Sequence, residues 1–208
     1  MKKIKILFLV FFISNGAFAQ LNISGSSCVM RGVIYEYWIK GLKEKTDMFK
    51  ICVSGGVLAG SDNSCTGDTI LSMVRVIWSD DISVTSGRIT IASGITTKTI
   101  NTTLFSTLEG GIIDSSLSLQ RIDTAMLPVA IKCVVAREGM CNAKYTYQWE
   151  SSPDAIKWVA INGANYSKLE FATGLIQTTY YRRKVMEHGT GSVAYSNTAV
   201  VFLNVKNR

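Results

Sequence analysis

The chain has little of what most chemistry requires. It holds one histidine, His188, and two prolines in 208 residues. Its five cysteines form no CxxC pair and show no Cys/His spacing of the kind that grips zinc. The strained G-x-S-x-G turn of serine hydrolases and the glycine-rich phosphate loop are both missing, and no acidic run has EF-hand spacing. The one catalytic arrangement left is a Ser/His/Asp triad assembled across the fold. It would need His188, which precedes Gly189-Thr190-Gly191, where a turn is the simpler reading. The expectation is a protein that is not an enzyme, with no catalytic residue, no metal and no cofactor.

Charge is also sparse, at 18% of residues, and never comes in blocks. With only two prolines, this argues against long disordered tails. No convincing helix-period stretch follows residue 19. Lys2, Lys3 and Lys5 precede an apolar run over residues 6–13 and the small-residue motif Ala17-Phe18-Ala19, so residues 1–19 read as a signal peptide. The run falls short of the ~20 residues that a spanning helix needs. Cleavage leaves Gln20 first, without the cysteine a lipoprotein requires, and no membrane span thereafter. It also lowers the formal charge from +7 to +4. The remaining basic residues are scattered apart from Lys40, Lys43 and Lys45, which Glu44 dilutes, so nucleic-acid binding has no support.

What the sequence does have is strands. Residues 145–149 alternate Tyr145, Tyr147 and Trp149 with polar neighbours, and Ser151-Ser152-Pro153-Asp154 breaks the run. Short strands are expected at 157–161, 178–186 and 194–205, with turns at Asn162-Gly163 and Gly189-Thr190-Gly191. Earlier, residues 33–39 (VIYEYWI), 47–53, 72–78 (SMVRVIW), 88–92 and 96–104 read as strands, and 115–122 as a strand or connector. Turns roughly 8–12 residues apart predict antiparallel β-sandwiches. A boundary near Asp123 gives one module over 20–123 and another over 124–208.

The order YQW–SSPD–W–I–GA–Y, then TTYYRR–V, then AYSN–V–V, resembles the immunoglobulin-like repeat of large surface and secreted proteins of Bacteroidetes bacteria. SGG, V-x-V-x-W and G-x-I-T-I in the first half are similar, more loosely, to the PKD-like and Ig-like repeats of those proteins. The resemblance implies two tandem immunoglobulin-like sandwiches and an exported protein at the cell surface, in the extracellular space or in the periplasm. It also implies Asp-Thr-apolar acceptors of O-glycosylation at Thr69 and Thr124.

Export allows disulfides. Cys133–Cys141 and Cys28–Cys65 are the expected pairs, each contributing about 2–4 kcal/mol, with Cys52 left as a small hydrophobe. Asp62, Asp68, Asp80 and Asp81 could ligate calcium, but WSDDIS reads better as a hairpin end. Trp78 and Trp149 fit core positions. Trp158, Tyr166 and Tyr195 are the aromatics expected at the surface, and Tyr180 or Tyr181 fits a tyrosine corner. Candidate ligand loops are residues 151–157 (Ser151, Pro153, Asp154, then Trp158) and 187–192 (His188, Thr190). The reading is a binding or spacer module for a protein or glycan at the cell envelope. The alternatives are a carbohydrate-binding accessory or small hydrolase, and the N-terminal piece of a larger surface protein.

Overall fold

The computed structural model describes residues 21–41, 48–61 and 63–204. Residues 1–19, expected to form a signal peptide, lie outside them, as do Lys43, Lys45 and Asp62. The described residues build two tandem β-sandwiches of immunoglobulin-like design. The first comprises β1 (Asn22–Ser24), β2 (Cys28–Met30), β3 (Ile34–Lys40), β4 (Lys50–Ser54), β5 (Gly56–Leu58), β6 (Met73–Trp78), β7 (Ser86–Ser93) and β8 (Thr96–Phe105). They form sheets β1-β3-β6-β5 and β2-β8-β7-β4. Alternation decides which side chains face inward: on β3, Tyr37 and Ile39 are buried while Trp38 and Lys40 are exposed. Tyr37, Val76 and Trp78 from one sheet meet Ile51, Ile89, Ile91 and Leu104 from the other. The Trp78 indole donates to the Tyr37 hydroxyl (3.1 Å), which donates to the Ser26 carbonyl (2.9 Å). Burial pushes the Tyr37 phenol up to about 12. A Cβ at Gly87 would run into the Trp78 ring, so β7 needs glycine there.

The second sandwich comprises β9 (Leu119–Asp123), β10 (Ile131–Lys132), β11 (Tyr145–Ser152), β12 (Val159–Ala160), β13 (Lys168–Leu169), β14 (Thr179–Glu187), β15 (Val193–Tyr195) and β16 (Ala199–Asn204). One sheet runs β12-β11-β14-β16-β9 with β15 also on β14, and the small sheet β10-β13 covers its inner face. Trp149, on the third strand, is fully buried among Ile113, Ile131, Cys133 and Val201. Its indole N–H donates to the Tyr166 carbonyl (2.9 Å). Tyr181 is the buried member of the Tyr180/Tyr181 pair and meets Phe171 edge-on.

Three expectations need correction. Residues 119–123, expected to finish the first module, form β9, which pairs in parallel with β16; Ile113 and Ile122 already belong to the second core. The reason is topological, since β2 likewise pairs in parallel with β8, so each sandwich closes its early edge on its own last strand. The expected final strand is two strands. Ser196 Oγ accepts from Arg183 N (2.9 Å), and the Asn197 amide grips Ile113 N and O, so the ladder breaks between β15 and β16. The thiols also pair otherwise: Cys28 with Cys141, Cys52 with Cys65, and Cys133 stays free and buried. Cys52 and Cys65 already face each other across a β-bridge, whereas Cys28–Cys141 joins the two sandwiches.

Candidate functional site

On β14, Tyr181, Arg183, Val185 and Glu187 face the core, which turns Tyr180, Arg182, Lys184 and Met186 to the outer face of the six-stranded sheet. Strand register brings Glu150 of β11 opposite Arg182, and Tyr195 and Val193 of β15 opposite Lys184 and Met186. The centre is Arg182. Its guanidinium carbon lies 4.2 Å from the centroid of the Trp158 ring and 3.9 Å from that of Tyr195, and its Nε donates to Glu150 Oε2 at 2.8 Å. Trp158 is itself fixed, its indole donating to the Ala155 carbonyl (3.1 Å). Cation–π contacts are worth about 0.5–1 kcal/mol each at a partly exposed site, so the three side chains hold one another in place. Tyr195 and its outer-face neighbours Val193 and Met186 remain 44%, 44% and 40% exposed. A second stack, Arg121 over Phe202 (4.8 Å), continues the pattern onto β9 and β16.

The two predicted loops do not meet. Tyr145 pairs with Glu187 at one end of the β11–β14 ladder and Ser152 with Tyr180 at the other, a span of about 24 Å at strand rise. Their polar groups are also engaged within the turns. Asp154 Oδ1 accepts from Ser152 Oγ, Ile156 N and Lys157 N, each at 2.8 Å. Those bonds hold its carboxyl below the usual range. Glu187 accepts from Gly189 N (2.8 Å) and from Thr190 N (2.7 Å) and Oγ1 (2.8 Å), and these donors pull its pKa down to about 2. Thr190 therefore organises the hairpin, and His188 is exposed beside it. Ser151 lies within β11, and Pro153 opens the turn that Asp154 closes. Between the two loops runs the outer face, which joins Trp158 to Tyr195.

Residues 83–205, more than half of the chain, match the model of a family described as a domain of unknown function (DUF8696). The chain belongs to that family. The DUF8696 span takes in the β7–β8 hairpin and the whole second sandwich, so it contains Trp158, Arg182 and Tyr195 and excludes Cys28. No curated protein matches the sequence. Among solved structures, the chain is similar to the N-terminal four Ig domains of Dscam1 isoform 6.9, at 14% identity and a TM-score of 0.43 over 84% of this chain and 42% of that one. It is also similar to Titin-A168169, at 7% identity and a TM-score of 0.35 over 89% of this chain and 100% of that one. The chain thus spans about two fifths of the Dscam1 structure. Likenesses this distant are a record of general resemblance only.

Within the DUF8696 span, Arg182 is the site residue that motif reading missed. Its signal was the alternation in TYYRRKVME, which sends one arginine of the pair inward and the other outward. The inward one, Arg183, is fully buried; it donates to the Cys133 carbonyl (3.2 Å) and to that of Val134, and lies over the Tyr147 ring. It stands two residues after Tyr181, the spacing at which antibody domains place the second cysteine of their inter-sheet disulfide. Of the expected surface aromatics, Tyr166 and Tyr195 are exposed and Trp158 is half-buried under Arg182; Trp38, left unassigned by the sequence, is 50% exposed on the first sandwich. Asp81 caps its turn by accepting from Ser83 N (2.8 Å). Among the described residues no His, Cys, Asp and Glu cluster could hold a metal ion, and no helix is long and apolar enough to cross a membrane. Of the two glycosylation candidates, Thr124 is exposed in a turn after β9, while Thr69 bridges Phe49.

Proposed function

We propose that the chain is a non-catalytic recognition module that binds a protein partner at the cell envelope through the outer face of its six-stranded sheet. The observation that carries this is Arg182, held between Trp158 and Tyr195 and ion-paired to Glu150. Tyr, Trp, Arg and Met are the residues enriched where proteins meet, and Trp, Tyr and Arg dominate binding energy there. Because the stack is assembled before any partner arrives, less side-chain entropy is lost on docking. Arg182 also covers one face of each ring, which favours a protein contact over sugar stacking. Two disulfides fit an exported chain, as does the leader-like sequence at the front.

The test is to cross-link the exported chain to its partner on the cell surface, then measure affinity with variants. Trp158→Ala or Tyr195→Ala should weaken binding about 30-fold, the effect of losing a hot spot of about 2 kcal/mol. His188→Ala should leave affinity unchanged. Binding to a glycan array that depends on the same rings would replace the protein partner with a sugar. Turnover of an ester, glycan or peptide that vanishes in His188→Ala would make the chain an enzyme.

A further inference from the structure

The Cys28–Cys141 bond starts on the first residue of β2 and ends in the turn before β11. It closes a loop of 113 residues in sequence separation, and that loop contains seven of the eight strands of the first sandwich. A polar latch holds the two partners together. Ser106 N donates to Glu138 Oε2 (2.7 Å), Gly139 N donates to Ser106 O (3.0 Å), and Cys141 N lies 3.3 Å from Cys28 Sγ. The side chain of Arg31, almost fully buried, reaches both Ser106 Oγ (3.1 Å) and Glu138 (3.7 Å). Glu138 adopts φ +63° to make these contacts, a conformation that a residue with a side chain takes only when its surroundings hold it there.

We infer that this disulfide is a mechanical bypass that takes the first sandwich off the load path when the chain is pulled from its two ends. Tension entering from the N-terminal side strips β1 from β3, reaches Cys28, and crosses directly to Cys141. The covalent link is far shorter than the folded segment 29–140 that runs parallel to it, so it takes the force. The parallel pair β2–β8 would otherwise be loaded in shear, because β2 is the entry strand and β8 the exit strand of that sandwich. With Cys28 joined beyond β8, that pair is not loaded. The load continues through β11–β16, the part that carries Trp158, Arg182 and Tyr195. The inference stands apart from what the outer face binds.

Single-molecule stretching of the full exported chain from handles on its two ends tests it. The oxidised protein should release about 250 Å at full extension, since each freed residue spans at most about 3.5 Å. The Cys28→Ser/Cys141→Ser variant, which retains Cys52–Cys65, should release about 350 Å more on the same scale. A wild-type release of about 600 Å, equal to the variant's, overturns the bypass. The wild-type length decides by itself should the variant fail to fold.

Discussion

Glu187 shows how one side chain can shape a loop that the sequence offers as a binding site. Its carboxylate faces inward on β14 and gathers the N–H groups of Gly189 and Thr190, which is why its pKa falls to about 2 from an ordinary 4.5. A carboxyl with a lowered folded-state pKa stabilises the native form above its unfolded value, and this is lost as pH falls through the folded one. Wild-type stability should therefore decline between about pH 4.5 and about pH 2. Glu187→Gln should be less stable at pH 7 and show a shallower decline in chemical denaturation over that range. Some slope will remain, because Asp81, Asp114 and Asp154 also accept turn N–H bonds that hold their carboxyls low. An unchanged slope would mean that Glu187 titrates alike in the folded and the unfolded chain. At this scale the sequence was partly legible. Trp78 and Trp149 were readable as core because each ends or centres an apolar alternation, and Tyr195 was readable as exposed. Arg182 and Arg183 were not separable, since only the register says which of two adjacent arginines faces the core.

For elements, the strands were legible wherever β-branched and aromatic residues alternate, as in β3, β6, β7, β11 and β14. Their partners were not, because pairing joins residues far apart in sequence. β9 is the clearest case. Residues 115–122 read locally as a strand or a connector, and nothing there names a partner, yet Leu119–Asp123 pairs along its length with Val200–Asn204 and sends Ile122 into the second core. The split between β15 and β16 was hidden for a similar reason: Ser196 and Asn197 leave the ladder to serve Arg183 and Ile113, contacts with no local signature. We therefore place the working boundary of the second sandwich within residues 106–112, ahead of Ile113. A fragment of residues 106–208 should melt cooperatively with a β-type circular dichroism spectrum. A fragment of residues 124–208 lacks β9 and Ile113 and should melt at lower temperature without a sharp transition. Equal cooperativity in the two fragments would show that β9 is dispensable.

The whole molecule is where sequence reading failed most, and the cysteines show why. Loop length and local context favoured pairs within each half, because nothing in one dimension says that the turn at 139–142 docks on β2. The docking depends on Arg31, Ser106 and Glu138 converging from three segments, and only then do Cys28 and Cys141 come within bonding range, 5.8 Å between Cα atoms. Cys133 is left in the second core beside Arg183, and burial pushes its thiol upward, away from the thiolate form that reacts. Peptide mapping of the unreduced protein should thus yield Cys28 linked to Cys141 and Cys52 linked to Cys65. Cys133 should take up an alkylating reagent only after denaturation. Rapid alkylation of Cys133 in the native protein would mean that the second core opens there. A Cys133–Cys141 link would undo the junction, since Cys141 cannot both close its own sandwich and hold the first one.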